Sequence, residues 1–458
     1  MAKLDIEIQT RKMLKPSAPT PDNLRRLKIS LFDQLARSAY VPMLFNYLPN
    51  STSSYDHNDD KLEKSLAETL TKFYPFAGRF AKDDPFSIDC NDEGVEYVQT
   101  KVNADDLAQF LGKDDDIESS LIDLLPIKDV EPSSPSSPLF GVQVNVFNNG
   151  GVTIGIQISH IVADAFTLAT FVNEWAHTNT LSSMPQDNNY LHKFGELSSL
   201  FPPKMLQLPS FDPNTSSTTT GTTVPNYKNV TKRFVFDALA IENLKKTIKD
   251  DSSMIRQPTK LVVVMSLLWK VLARISCAKN GNSRDSTFGF VISYRGKVSC
   301  IPSTEHVLGT FSIPEIANME GDVARKDELN DFVKLVGNRI GDTFAAIDKA
   351  SKVDDIYSLT LNNQIKIIDK LLQRDKIDIY GTTSWCKLPW YEADFGWGKP
   401  FWVTPVSFGI HELTILMDTK DGNGIEIIVT MKENDMTEFE RDPHILSSTS
   451  KLTFHSFG

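Results

Sequence analysis

Two short constellations in the 458-residue sequence hold residue types that could do chemistry: His160-Ile161-Val162-Ala163-Asp164 and Asp394-Phe395-Gly396-Trp397-Gly398. A neutral imidazole, with an ordinary pKa of about 6.5, is largely unprotonated at cytosolic pH and can take a proton from a hydroxyl or amine as that group attacks. Asp164 could orient that imidazole, turn away to pair with an arginine, or cap the helix that follows. Spacing alone proves nothing. With 39 Asp and 8 His in the chain, H-x-x-x-D is expected roughly 0.7 times by composition. The second constellation has a chance on the order of 10⁻⁴ of arising anywhere in such a chain. Its two glycines about a tryptophan predict a tight turn in which backbone comes close to something, and an aspartate buried beside them needs a cationic or backbone partner.

The elements around the first constellation are well marked. Val142, Val144 and Val146 share one parity, Asn148-Asn149-Gly150-Gly151 supplies turn residues, and Val152, Ile154, Ile156 and Ile158 alternate again, which predicts a hairpin. His160 keeps the parity of Ile154, Ile156 and Ile158, so it leaves the strand end on the buried side, where loops carry function. There it is either a satisfied core histidine or a catalytic base. Leu168, Phe171, Val172 and Trp175 then follow at helical spacing. Further on, residues 232–236 read as a strand, 241–248 as a helix and 259–275 as a long, mostly buried helix. A second hairpin is predicted from 412–418 and 425–431 about Asp421-Gly422-Asn423-Gly424.

Length asks for two domains, because single cores stop growing near ~250–300 residues. Strands and helices mix in both halves, which predicts two α/β domains. The stretch from Phe201 to Asn229, dense in Pro, Ser, Thr and Asn and without a period, reads as a crossover between them. We therefore divide the chain into a first domain at 1–195, a crossover at 196–228 and a second domain at 229–458. Residues 131–138, EPSSPSSP, read as a stiff surface connector.

Composition narrows the function. A net charge of −11 disfavours nucleic acid and anionic membranes as partners, so any anionic ligand must be held by locally clustered Lys and Arg. Cys90, Cys277, Cys300 and Cys386 lie far apart and suit free thiols in a reducing compartment. The N-terminus has no apolar signal region, and the apolar run from Leu261 is broken by Lys270 and Arg274 short of the roughly 18–20 residues that span a bilayer. A cytoplasmic protein with no membrane span is expected. No G-x-S-x-G, phosphate-binding loop, G-x-G-x-x-G or H-E-x-x-H occurs, and His57, His177, His192, His306, His411, His444 and His455 lack metal-ligand spacing. No metal is expected.

H-x-x-x-D in the middle and DFGWG toward the end, in a chain of this length, resemble the plant BAHD family of CoA-dependent acyltransferases. Tyr74-Pro75-Phe76-Ala77-Gly78-Arg79, Cys90-Asn91-Asp92-Glu93-Gly94-Val95, Ser384-Trp385 and the hairpin from Leu416 to Gly424 are similar to further family segments. The resemblance implies a chloramphenicol acetyltransferase-like fold, with two α/β domains of similar topology, each a mixed sheet flanked by helices, and an active-site channel between them. It implies His160 as general base, and Asp164 holding its loop by pairing with Arg295. Asp394, Gly396, Trp397 and Gly398 would shape the fold on the CoA side, and Ser384 and Trp385 would lie at the CoA site. Acetyl-CoA would be a co-substrate, with no permanently bound cofactor, in a monomer that also binds a small acceptor alcohol. Residues 15–21 and 28–34 are similar to the alkaloid O-acetyltransferase subgroup, which implies an alkaloid or terpenoid alcohol as acceptor. An N-acyltransferase on an amine and a non-acylating member that binds a hydrophobic metabolite are the alternatives. Ala165, Ser293 and Thr310 depart from the family pattern, so the acceptor is the least transferable inference. Neither an activated Cys nor an activated Ser is apparent, so no acyl-enzyme is expected.

Overall fold

The hairpin forms in the register that its alternation dictates. Phe140–Phe147 pairs antiparallel with Val152–Ser159, placing Val142 opposite Ile156, Val144 opposite Ile154 and Val146 opposite Val152. These strands lie inside a mixed six-stranded sheet whose order is Ile6–Leu14, Val95–Val102, Phe140–Phe147, Val152–Ser159, Tyr40–Tyr47 and Trp402–Pro405. A second six-stranded mixed sheet runs Ser312–Met319, Ser286–Ser293, Asp378–Ser384, Leu413–Asp418, Ile425–Lys432 and Asn229–Phe236. It contains the second expected hairpin, Leu413–Asp418 with Ile425–Lys432. The computed structural model describes residues 4–36, 38–49, 60–104, 106–112, 117–127, 132, 134–180, 193–205, 228–248, 257–301, 303–321, 328–407 and 413–450.

Each sheet carries helices. Ala165–Thr180 and Lys61–Lys72 pack in the first core, where Phe171 and Trp175 meet Phe73, Phe76 and Phe140. The long helix expected from residue 259 is Lys260–Asn280, capped by the Thr259 side chain and closed by Gly281 at φ 72°. It is long and apolar enough to cross a membrane, contrary to the expectation from Lys270 and Arg274. The reason lies in packing: Val263, Val264, Leu267, Leu268, Trp269 and Val271 are buried in the second core, and Lys270 is buried too.

The sheets do not follow the division of the chain at residue 229. Trp402–Pro405, from the C-terminal half, pairs antiparallel with Tyr40–Tyr47 and completes the first sheet. Trp402 and Val403 need burial, the Tyr40–Tyr47 edge needs a partner, and Pro405, lacking an N–H, is tolerated on an edge strand. Arg233 of the second sheet fastens this strand, donating to Thr404 Oγ1 at 2.6 Å, Pro405 O at 3.0 Å and Glu118 Oε2 at 2.8 Å. The crossover also begins as structure. Glu196–Leu200 is a short helix, and Phe201 is fully buried; residues 206–227 of the crossover, and 131 and 133 of the surface connector, lie outside the described residues.

Between the halves sits a third apolar cluster. Phe32 and Phe201 from the first half of the chain meet Tyr294 and Phe311 from the second, with Phe32 edge-on to Phe201 at 5.0 Å, Phe311 at 5.0 Å and Tyr294 at 5.7 Å. Edge-to-face pairs of this kind add about 0.5–1.5 kcal/mol each beyond the area they bury.

Candidate active site

The strand Val152–Ser159 ends and the helix Ala165–Thr180 begins within five residues, and His160 to Asp164 form that connection. The His160 amide donates to Ala39 O at 2.9 Å, and the Val162 amide to Ser159 O at 3.1 Å, so the loop turns tightly off the strand. The imidazole is half-buried, and its Nδ1 is a buried atom without a hydrogen-bond partner among the described residues. Neutral imidazole has one N–H and one lone-pair nitrogen, so the ring keeps a basic nitrogen for chemistry.

Asp164 resolves into two of its three possible roles. Its Oδ1 accepts from the Thr167 amide at 3.0 Å, capping the helix, and from Arg295 NH2 at 3.2 Å; its Oδ2 accepts from Arg295 NH1 at 2.5 Å and from the Phe311 amide at 3.2 Å. It makes no bond to the imidazole. Burial alone would push this carboxyl up, but the Arg295 charge and hydrogen bonds, with the two amides, outweigh it and hold the group below the usual carboxylate value. Arg295 also donates from Nε to Val307 O at 3.1 Å and from NH2 to Gly309 O at 2.7 Å, and lies over the Phe166 ring at 4.4 Å.

Residues 309–311 join the halves through their backbone amides. Three successive amides donate to three acceptors of the first half: Gly309 to Thr167 Oγ1 at 3.1 Å, Thr310 to Asp33 Oδ1 at 2.7 Å and Phe311 to Asp164 Oδ2 at 3.2 Å. Gly309 has φ +100°, a conformation that favours glycine, and a Cβ there would lie in a tight contact 3.2 Å from Asp33 Oδ1. Asp33 also accepts from the Ser30 amide at 2.8 Å and hydroxyl at 2.7 Å. Among the described residues it forms no ion pair. Burial pushes its carboxyl up to about 6 against these hydrogen bonds, with the Asp164 charge adding to the rise.

A raised carboxyl pKa has a definite sign. Between the unfolded value of 3.8 and the folded value of about 6, the folded protein binds a proton that the unfolded chain releases. The Asp33 contribution to stability is therefore full below about 3.8 and is lost as pH rises through 6. Urea unfolding of the protein and of Asp33→Asn at pH 4.5 and 7 measures it. The wild type gains on the variant at the lower pH by roughly 2 kcal/mol, since only about 1.5 units of the window lie between 6 and 4.5 at 1.36 kcal/mol per pKa unit. An unchanged difference would refute the assignment.

The second constellation folds as a turn about its own aspartate. Asp394 Oδ1 accepts from the Gly396 amide at 2.7 Å and the Gly398 amide at 3.0 Å, and both glycines have φ +96°. The partner is thus backbone. Phe395 packs edge-on to Trp175 at 4.7 Å, Trp397 edge-on to Tyr47 at 5.5 Å, and Tyr47 Oη donates to Ala393 O at 2.8 Å. Asn179 donates to Phe395 O at 2.7 Å, near the end of the helix whose start Asp164 caps. At 1.5 Å per residue the two ends lie roughly 22 Å apart, which separates DFGWG from His160. Asp394→Ala is expected to lower stability by about 1–2 kcal/mol through the two unmade bonds, while kcat per folded molecule stays within about twofold. Thermal melting and active-site-normalised rates check this.

Ser384 ends its strand half-buried, and Trp385 is buried in the first core against Trp390 with ring centroids 6.0 Å apart. The structure places Trp385 as packing between strand and core. Of the departures, Ala165 is the first helical residue after the Asp164 cap, Ser293 Oγ accepts from the Arg295 amide at 3.3 Å, and Thr310 belongs to the 309–311 segment. Sequence reasoning missed Asp33 as a site residue, although Ser30-x-x-Asp33 carries a capping-box pattern and forms one. Among the described residues, no group of His, Cys, Asp or Glu is arranged to hold a metal ion.

Known proteins share this architecture and sequence. The family model described as the Transferase family matches residues 4–446. The chain is similar to the acetyl-CoA-benzylalcohol acetyltransferase of Clarkia breweri, at 33% identity over 98% of this chain and 100% of that protein. It is 31% identical to the salutaridinol 7-O-acetyltransferase of Papaver somniferum over 95% of this chain and 96% of that one. The crystal structure of vinorine synthase matches with a TM-score of 0.76 and 27% identity, covering 98% of this chain and 100% of that one. With a family model matched over nearly its full length and relatives similar from end to end, the chain belongs to the Transferase family, the BAHD acyl-CoA-dependent acyltransferases.

Proposed function

We propose that the protein moves an acetyl group from acetyl-CoA to a hydroxyl of a plant specialised metabolite, an alkaloid or terpenoid alcohol, with His160 as general base in a ternary complex. The observation that carries this reading is the half-buried imidazole at the meeting of the two halves, unpaired with Asp164, whose carboxylate is taken up by Arg295. Relatives named for O-acetylation of salutaridinol and acetylation of benzyl alcohol support an alcohol acceptor.

In the reaction, a basic ring nitrogen of His160 takes the hydroxyl proton as the acceptor oxygen attacks the thioester carbonyl. A C–O bond forms and the carbonyl becomes a tetrahedral oxyanion. Its collapse breaks the C–S bond, and the CoA thiolate recovers the proton from the imidazolium. Direct transfer is supported by the cysteines: burial pushes Cys90 up to about 12 and Cys386 up to about 11, so both stay thiols at neutral pH.

Space for CoA is supported by a cavity of about 950 Å³ that begins beside Arg295 and is lined by Thr259, Gly296, Lys297, Ser303 and Phe344. Burial, with the Lys387 charge, lowers the Lys297 ammonium below its ordinary value, so an anion there would be welcome. The enzyme works as a cytosolic monomer in this reading.

The test uses purified protein, acetyl-CoA and a panel of alkaloid, terpenoid and benzylic alcohols with matching amines, following CoA release and product mass. Ester formation by the wild type and none by His160→Ala is the expected result. Equal release from both proteins, amides only, or no product across the panel would sink the reading.

A further inference from the structure

Among the described residues, no side chain holds the His160 ring by a hydrogen bond. Nδ1 has no partner among the described residues, and the nearby carboxylate of Asp164 is turned to Arg295 and two amides. The direction of the imidazole is therefore set by packing and by the peptide units on either side of its Cα. The unit before it is held within the first half, where the His160 amide donates to Ala39 O at 2.9 Å. The unit after it is held from the second half: Thr310 Oγ1 donates to His160 O at 3.2 Å. Thr310 is itself buried and fixed, since its amide donates to Asp33 Oδ1 at 2.7 Å and the amides on both sides of it are bonded to Thr167 and Asp164.

We infer that Thr310 is a positioning residue for His160: its hydroxyl, anchored across the boundary between the halves by Asp33, fixes the His160 carbonyl and thereby aims the imidazole. The chemistry follows from the geometry. Proton transfer during attack needs the ring nitrogen within hydrogen-bond reach of the acceptor oxygen, and a displacement of about 1 Å at such a group costs up to about 100-fold in rate. A rotation of the peptide that follows His160 moves its Cα–Cβ direction, so a donor to that carbonyl acts on the base without touching substrate. The 309–311 segment thereby acquires a task. The second half, which contributes no side chain to the His160 loop other than Arg295 and Thr310 among the hydrogen bonds of the described residues, would complete the base only when the halves are closed on each other. This role of Thr310 rests on the proposed role of His160 in catalysis.

Thr310→Val keeps the shape and the amide bond to Asp33 but removes the donor, and Thr310→Ser keeps the donor. In the valine variant, kcat for acetyl transfer is expected to fall about tenfold, the size of one hydrogen bond's net worth, with KM for acetyl-CoA within about twofold. The serine variant is expected to stay within about threefold of wild type. A second readout needs no turnover: the ring resonances of His160 in histidine-labelled protein, identified by their loss in His160→Ala, should shift or broaden in Thr310→Val and not in Thr310→Ser. Should the valine variant fail to fold, Thr310→Ala serves in both measurements. A kcat for the valine variant within twofold of wild type, a serine variant as impaired as the valine one, a KM effect without a kcat effect, or unmoved His160 resonances would each overturn the inference. If the wild type transfers no acyl group at all, the proposed function fails and the resonances alone decide whether Thr310 positions the ring.

Discussion

Replacing His160 by alanine lowers kcat for acetyl transfer by about 100- to 10,000-fold, the range that a positioned general base supplies. The loss is expected in kcat and kcat/KM together, because in the proposed reaction the ring takes the acceptor proton in the transition state. Stability should change little. The imidazole makes no side-chain hydrogen bond among the described residues, is only half-buried, and leaves behind no charged partner. His160→Ala therefore stays within about 1 kcal/mol of wild type in urea unfolding, as substitutions away from packed or paired sites do. His160→Gln keeps much of the volume and separates chemistry from packing; it should be as slow as the alanine variant. Retention of more than a tenth of the wild-type kcat in both variants would remove His160 from the base role.

The second large effect belongs to Arg295, and it falls mainly on stability. Arg295→Ala leaves the Asp164 carboxylate buried with only the Thr167 and Phe311 amides as donors, and breaking a buried pair from one side costs about 3–5 kcal/mol. Arg295→Lys should recover only a small part, since one ammonium cannot reproduce the contacts that Nε, NH1 and NH2 make with Asp164, Val307 O and Gly309 O. The pH dependence has a fixed sign. The Asp164 carboxyl is held below its ordinary 3.8 in the folded protein, so its contribution is present above that value and is lost as pH falls through the folded pKa. Urea unfolding should therefore show the full deficit of Arg295→Ala at pH 7 and a shrinking one as the pH falls, beginning where the variant's buried, unpaired Asp164 carboxyl takes up its proton. A variant as stable as wild type at pH 7 would contradict the role given to the pair.

Much of this architecture is legible in the amino-acid sequence, for physical reasons that differ from element to element. The 140–158 hairpin is readable because strand alternation and turn chemistry are local, and its observed register pairs the valines and isoleucines that parity puts on one face. The Asp394 turn is readable because two glycines and an aspartate within five residues restrict the backbone, and both glycines indeed take φ +96°. Its docking on Tyr47 and Trp175 is not, since no local period records a contact with residues more than 200 positions away. Asp164 is the middle case: its local sequence leaves three roles open, the family resemblance points to the pairing with Arg295, and the fold, by bringing Arg295 from 131 positions along the chain to its side, shows that pairing together with the helix cap. Asp33 and Thr310 stay hidden because each makes sense only through the other, 277 positions apart. In the helix Lys260–Asn280 length and composition cannot tell a core helix from a membrane helix, and it is the packing of Val263, Leu267 and Trp269 in the second core that shows which one this is.

The strand Trp402–Pro405 carries a consequence for how the protein is made. The first sheet is otherwise built from residues that precede 160, yet its last strand emerges from the ribosome only when some nine-tenths of the chain exists. At about 5–20 residues per second, the Tyr40–Tyr47 edge waits on the order of ten seconds or more with its N–H and C=O groups unpaired. A nascent chain in that condition offers a template for pairing with another copy. Ending synthesis between residues 205 and 400 should therefore yield fragments that self-associate, and adding residues back through Pro405 should release them, which makes chain completion itself the step that protects the early half.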